Sequence, residues 1–313
     1  MDTVAVVLRE PEQITLSRVE LLPPTSEDIV VDVEWSGIST GTERLLWSGS
    51  MPPFPGMGYP LVPGYESVGR VVEAGSESGL RVDERVFIPG ARCFTDVRSL
   101  FGASARRLVV PGKRAVAIDP QLRETGILMA LAATAYHAMA VPGAAPPERI
   151  VGHGVLGRLL ARLVIAAGHP APVVWERNAK RREGAFGYEV CDPSQDKGHD
   201  YRVIVDASGN SNLLDVLIGR LARGGEIVLA GFYSQPLSFA FPPAFMREAR
   251  LRIAAEWQPS DLAAVKALVE DGKLSLDGLI THGERASRAA FAYRTAFDDP
   301  ACLKMVLDWS AAA

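Results

Sequence analysis

Long apolar runs, an excess of basic charge and paired cysteines are all missing from this 313-residue chain, and each absence removes a class of function. No stretch approaches the ~18 consecutive apolar residues that a membrane helix requires, so no integral membrane segment is expected. Lys and Arg total 33 against 37 for Asp and Glu, a net charge of −4, which offers no field for nucleic acid and points to a small-molecule partner. The cysteines, Cys93, Cys191 and Cys302, are odd in number and far apart, which argues against a disulfide framework and suits a reducing cytoplasm. Met1 to Leu8 alternates apolar residues without a basic n-region, the pattern of a strand and not of a signal peptide.

What is present is the makeup of a folded globular protein, 48% apolar and 22% charged, long enough for two domains. Up to about residue 120, short β-type runs such as Ile29 to Trp35, Val68 to Ala74 and Arg85 to Ile88 alternate with Gly and Pro. Met51 to Pro63 is crowded with proline and reads as a long, stiff loop, neither helix nor central strand. From 121 to 274 strands and helices alternate: Arg149 to Val151, a helix from Val155, Val173 to Glu176, Val203 to Ala207, a helix from Leu213 to Ala222, and Glu226 to Ala230. That rhythm predicts an α/β protein: a parallel, doubly wound sheet over 121–274, with 1–120 and 275–313 forming a β-rich unit to which a helix at Ala289 to Phe297 returns.

The glycine turn Gly152-His153-Gly154-Val155-Leu156-Gly157 stands between a β-run and an apolar helix, the context that gives such a motif meaning. Gly152 permits the tight turn, Gly154 lets backbone amides approach a pyrophosphate, and Gly157 lets the helix pack on its strand. Roughly twenty residues on, Glu176 ends the next β-run and is placed to accept ribose hydroxyls, which favours NAD over NADP. Arg177 and the cluster Lys180-Arg181-Arg182 could still accommodate a 2′-phosphate, although such a cluster also suits a solvated helix face. Ser208, Gly231 and Phe232 lie where further strands should end and are the expected nicotinamide neighbours.

The order of these parts resembles the medium-chain dehydrogenase/reductase superfamily across essentially the whole chain. The matching segments are Ser36-Gly37-Ile38-Ser39, Val62-Pro63-Gly64-Tyr65-Glu66-Ser67-Val68-Gly69, the glycine turn and Leu279-Ile280-Thr281-His282. The resemblance implies a GroES-like catalytic domain joined to a Rossmann domain. It also implies catalytic zinc ligands at the positions of Ser39, Tyr65 and Ala132, none of which is a zinc ligand here, and Cys93 alone cannot form the family's structural zinc lobe. The chain is therefore expected to carry no metal.

Longer strings narrow the resemblance to the bacteriochlorophyllide a dehydrogenases: Trp35 to Glu43, Met51 to Pro60 and Phe241 to Glu248. That implies NAD-dependent oxidation of the 1-hydroxyethyl group at C3 of a magnesium chlorin or bacteriochlorin to acetyl. The expected proton acceptors are Tyr65 and Glu66, with Ser39, Thr40 or Thr42 as relays and His137 as a further base. Each has a structural rival: Glu66 as a carboxylate binding amides, Ser39 and Thr42 as turn residues, His137 as a packing residue. His137, His153 and His282 are also able to ligate the substrate's magnesium, and nothing singles one out.

A flat, apolar macrocycle asks for aromatic walls, and Trp35, Trp47, Phe54, Met57, Tyr59, Phe232, Tyr233, Phe239, Phe241 and Phe245 are the expected lining of an interdomain cleft. Ordinary core packing is the rival for each. A homodimer is expected on general grounds, in the cytoplasm or peripheral to the photosynthetic membrane. Two other functions stay open: a zinc-independent NAD(P)H quinone or enoyl reductase, and a pigment carrier without turnover.

Overall fold

The protein, seen as a computed structural model, is described over residues 1–310 apart from Phe54, Pro142 and Ala255. Its first part runs β1 (Asp2–Glu10), β2 (Gln13–Glu20), β3 (Asp28–Ile38), α1 (Thr42–Trp47), β4 (Leu61–Pro63), β5 (Ser67–Ala74), β6 (Arg85–Ile88), β7 (Arg98–Leu100), β8 (Arg107–Pro111), β9 (Val116–Ala117) and α2 (Met129–Met139). Then come β10 (Arg149–Val151), α3 (Val155–Ala166), β11 (Val173–Trp175), β12 (Glu189–Cys191), β13 (Tyr201–Asp206), α4 (Leu214–Arg220), β14 (Leu221–Leu229) and α5 (Phe241–Arg247). The chain closes with β15 (Arg250–Ile253), α6 (Pro259–Glu270), β16 (His282–Arg285), α7 (Ala289–Asp298) and β17 (Met305–Asp308).

Two compact units result, one from Met1–Ala130 with the chain from Leu279 onward, the other Leu131–Gly278. The boundary falls later than residue 120. Pro120–Leu128 forms short 3-10 turns, in which a Cβ on Gly126 would lie only 2.7 Å from Ile118 and 2.9 Å from Val68. That close packing keeps the segment with the β-rich unit.

In the β-rich unit, one sheet runs β2-β1-β4-β7 and the other β16-β17-β3-β5-β6-β9, with β8 also paired to β3. β-branched residues fill the space behind them: Ile29, Val31, Val33, Val71 and Val86 are fully buried, as pleated, two-sided packing favours. Leu61–Pro63 is a paired strand, contrary to the expected uninterrupted loop. Leu61 and Val62 are apolar and retain their N–H groups, while Pro60 and Pro63 flank them. The C-terminal return is structural: β17 lies antiparallel to β3, Met305 opposite Ile38 and Asp308 opposite Trp35, and Trp309 Nε1 donates to Ser36 Oγ at 2.8 Å.

The second unit is a six-stranded parallel sheet in the order β12-β11-β10-β13-β14-β15, which reverses direction beside β10 as a Rossmann sheet does. Asp196 ties three of its strands. Its carboxylate accepts from Arg149 Nε, Trp175 Nε1, Tyr201 Oη and the Gly198 N–H, all at 2.8–2.9 Å. Burial opposes its ionisation, yet these donors win and hold the carboxyl well below its ordinary range. The helix expected to reach Ala222 stops at Arg220, because Leu221 turns extended into β14. Helix α5 and strand β15 carry no clear period in the sequence. Among the described residues, no helix is long and apolar enough to cross a membrane.

Candidate active site

The end of β3 and the turn after β4 bring together the hydroxyls expected to handle the alcohol proton. Ser39 Oγ and Tyr65 Oη share a hydrogen bond of 2.6 Å, with Thr42 beside Tyr65. Phe101 stands edge-on to the Tyr65 ring, with centroids 5.4 Å apart. Burial, reinforced by the nearby Glu66 charge, pushes the Tyr65 phenol well above its ordinary value, so Tyr65 keeps its proton and is no base by itself. Thr40 is exposed.

Glu66 lies beneath this pair and is fully buried. Its Oε2 accepts from Lys304 Nζ at 2.7 Å, and Lys304 also donates to the Ile38 carbonyl at 3.2 Å. Only glycine fits at position 37, where a Cβ would come within 2.3 Å of Glu66 Oε2. The ion pair corrects the expectation of Glu66 as a free base: an ammonium already holds one oxygen and protein covers both. Among the described residues Oε1 has no hydrogen-bond partner. Beside it, Glu43 accepts from the Ser39 N–H at 3.0 Å and from Tyr293 Oη at 2.5 Å. Burial raises Glu43 to about 7.

This donor set does not fit zinc. Zinc needs a tetrahedral group of N, S or O ligands, whereas Ser39 and Tyr65 are bonded to each other, Glu66 is bonded to Lys304, and Ala132 offers a methyl. Among the described residues, no group of three or more His, Cys, Asp or Glu gathers elsewhere.

In the Rossmann unit the glycine turn has the shape a dinucleotide requires. Gly152 sits at φ +96°, a Cβ on Gly157 would lie 1.8 Å from the Gly152 carbonyl oxygen, and one on Gly154 would meet nothing within 4 Å. Val155 and Leu156 open α3, whose N-terminal amides favour a phosphate. Glu176 is held at the end of β11 by the His153 N–H at 3.1 Å and the Asn178 N–H at 2.8 Å. A carboxylate has about four acceptor sites, so two remain for ribose hydroxyls. Arg177 beside it is exposed.

The other expected contact residues sit in varied surroundings. The His153 ring is fully buried between the Arg181 carbonyl at 2.6 Å and Tyr188 Oη at 2.8 Å, and burial lowers it to about 4. It is a neutral packing group with no face for phosphate or magnesium. His137 Nδ1 is 2.8 Å from Asp261 Oδ2, the carboxylate that also caps α6, which engages one ring nitrogen within the Rossmann unit. His282 Nδ1 pairs with its neighbour Thr281 Oγ1 at 2.9 Å. Ser208 and Tyr233 both bond Asp206, at 2.6 and 2.8 Å, which turns those hydroxyls inward. Gly231 packs where a Cβ would come within 2.7 Å of the Gly209 nitrogen, and Phe232 is exposed.

The aromatic lining divides between the units. Trp35 lies under the Arg85 and Arg123 guanidiniums, and Trp47 packs on Phe297. Met57 and Tyr59 pack against the small apolar cluster of Leu8, Leu46, Leu61 and Leu100. Phe239, Phe241 and Phe245 line a groove of about 520 Å³ in the Rossmann unit. Phe54 lies outside the described residues.

Residues 25–120 match the alcohol dehydrogenase GroES-like domain. The whole chain is 60% identical to a Cereibacter sphaeroides protein, 2-desacetyl-2-hydroxyethyl bacteriochlorophyllide A dehydrogenase, with all of both chains covered. The chain belongs to this dehydrogenase family. A relative of the same name from Rhodobacter capsulatus is 59% identical over 99% of both chains. The protein is thus a medium-chain oxidoreductase acting on a CH–OH group. In fold it is similar to L-idonate 5-dehydrogenase of Escherichia coli (TM-score 0.85, 18% identity, 98% of both chains). An E. coli alcohol dehydrogenase solved with NADH is also similar (TM-score 0.83, 20% identity, 98% of this chain and 99% of that one).

Sequence reasoning missed Lys304, Glu43 and Tyr293. Lys304 left a trace, a lone lysine inside the apolar run Cys302 to Leu307. Glu43 and Tyr293 are far apart in sequence and left none.

Proposed function

We propose that the protein oxidises the 1-hydroxyethyl side chain of a bacteriochlorophyllide to acetyl, with NAD as acceptor and without zinc. The full-length 60% identity to the Cereibacter sphaeroides enzyme carries the reading of the substrate. When bound, NAD supplies the hydride acceptor. The residues of this chain do the rest. Gly152, Gly154 and Gly157 give the pyrophosphate its approach to backbone amides, and Glu176 accepts the ribose hydroxyls and repels a 2′-phosphate.

The Ser39–Tyr65 hydroxyl pair, with Thr42, relays the alcohol proton to solvent water as the hydride leaves for NAD, each hydroxyl giving up one proton as it takes another, since neither oxygen is a strong base and the neighbouring Glu66 is locked to Lys304. The conjugated macrocycle assists by delocalising positive charge as hydride leaves. The substrate's magnesium is cargo in this reading and needs no protein ligand. The same reading includes a homodimer, located in the cytoplasm or peripheral to the photosynthetic membrane, and the exposed Phe241, Phe245, Met246 and Ile253 supply apolar surface for such contacts.

Mixing chelator-treated protein with NAD and the hydroxyethyl pigment tests the proposal. NADH absorbance should grow as the pigment's red band shifts, at a rate that added zinc does not raise. Pigment binding without NADH formation would instead identify a carrier.

A further inference from the structure

The β-rich unit holds a second feature that the hydroxyl chemistry does not use. A groove of about 430 Å³ opens beside β7, with Phe94, Val97 and Pro55 as apolar wall and Arg92, Arg98 and Ser99 as its polar side. Among the described residues neither Arg92 nor Arg98 has a carboxylate partner, unlike Arg85, Arg107 and Arg149. Arg98 is fixed along the loop: its Nη1 donates to the Met57 carbonyl at 2.8 Å, and a Cβ on Gly58 would lie 1.9 Å from it. The rest of its guanidinium fork stays available. An apolar wall with two guanidiniums that no carboxylate neutralises fits a flat, apolar body that carries an anionic carboxylate.

The groove and the hydroxyl pair share one strand pair. β7 runs parallel to β4, Arg98 opposite Leu61 and Leu100 opposite Pro63. Four residues after Leu61 comes Tyr65, and directly after Leu100 comes Phe101, whose ring meets that of Tyr65. Four residues of chain span at most about 14 Å. Arg98 therefore lies, along this strand pair, no farther from Tyr65 than one macrocycle with its side chain can reach, and Arg92 lines the same groove. A bacteriochlorophyllide differs from the esterified pigment by its free propionic carboxylate, which lies across the ring from the C3 side chain.

We infer that Arg92 and Arg98 form a carboxylate subsite that takes the free propionate of the macrocycle and selects the acid over its ester. The inference rests on the proposed pigment substrate, and it concerns binding alone; no bond changes at this subsite.

The test compares the hydroxyethyl pigment acid with its methyl ester, in the wild-type protein and in Arg92→Gln. Losing a charge-assisted hydrogen bond weakens binding by about tenfold or more, so the ester should show a KM raised by that factor with kcat little changed. Arg92→Gln should raise the KM of the acid, leave that of the ester unmoved, and leave the KM of NAD unmoved. High salt should weaken the acid and spare the ester. Equal KM values for acid and ester in the wild-type protein, both turned over with NAD, would overturn the subsite and leave the proposed reaction standing. No turnover of either would remove the reaction itself, and with it the subsite. An Arg92→Gln loss that is the same for both pigments would also overturn it, as a mere effect of groove shape.

Discussion

The Ser39–Tyr65 contact is the smallest unit of the chemistry, and truncating either hydroxyl isolates its role. Positioned proton transfer contributes about 10²–10⁴-fold. Ser39→Ala and Tyr65→Phe should each lower kcat by at least about a hundredfold with the KM for NAD unchanged; steady-state rates within a few-fold of wild type would place the proton transfer elsewhere. Glu43 has a different signature, in stability. Its folded value of about 7 lies above the ordinary 4.5 because burial disfavours the charge. The folded state thus binds a proton that the unfolded chain releases over this window, so its stabilising effect is complete below 4.5 and lost as pH rises towards 7. At 1.36 kcal/mol per pH unit this is about 3 kcal/mol as an upper scale. Glu43→Gln should flatten the urea midpoint between pH 4.5 and 7, and a midpoint still falling with pH in the variant would refute the assignment.

At the scale of elements, the glycine turn separates two kinds of necessity. Gly157 is needed by the fold, since a methyl there would run into the Gly152 carbonyl, so Gly157→Ala should lower the melting temperature along with NADH affinity. Gly154 has open space and an ordinary backbone, φ −75° and ψ −172°. Gly154→Ala should therefore leave the melting temperature unchanged and still cost NADH binding tenfold or more, because only the pyrophosphate would meet the methyl. Calorimetry on one sample gives both readouts, and unimpaired NADH binding would move the cofactor away from the turn. The element also explains His153, whose ring packs under the turn against Tyr188 while its N–H orients Glu176. The motif's second residue thus serves the acidic residue and not the phosphate.

For the whole molecule, the decisive fact is that the β-rich unit is assembled from both ends of the chain. β17 lies against β3, and Tyr293, Lys304 and Trp309 supply partners to Glu43, Glu66 and Ser36. Ending the chain after Gly278 would take the ammonium from Glu66 and the Tyr293 hydroxyl from Glu43, and the broken buried ion pair alone is a defect of about 3–5 kcal/mol. Such a truncation should yield no cooperatively folded β-rich unit, as judged by circular dichroism and amide exchange, while the continuous Rossmann unit keeps protected amides. A fully protected β3 would show that the return is dispensable.

The chain's periodicities alone determined the two-part α/β architecture, the alternating strands and helices of 121–274, and the glycine turn with Glu176, because these signals are local: hydrophobic period and φ preference act within a few residues. The missing zinc donors at 39 and 65 were equally legible, since a side chain's ligand chemistry is a property of its own atoms. Only tertiary structure decided which carboxylate is free. Glu66 reads as a base until Lys304 arrives from the far end of the chain, and Glu43 reads as nothing until Tyr293 does. Burial and pairing arise from contacts across hundreds of residues, and a buried charge takes its meaning from the group placed opposite it.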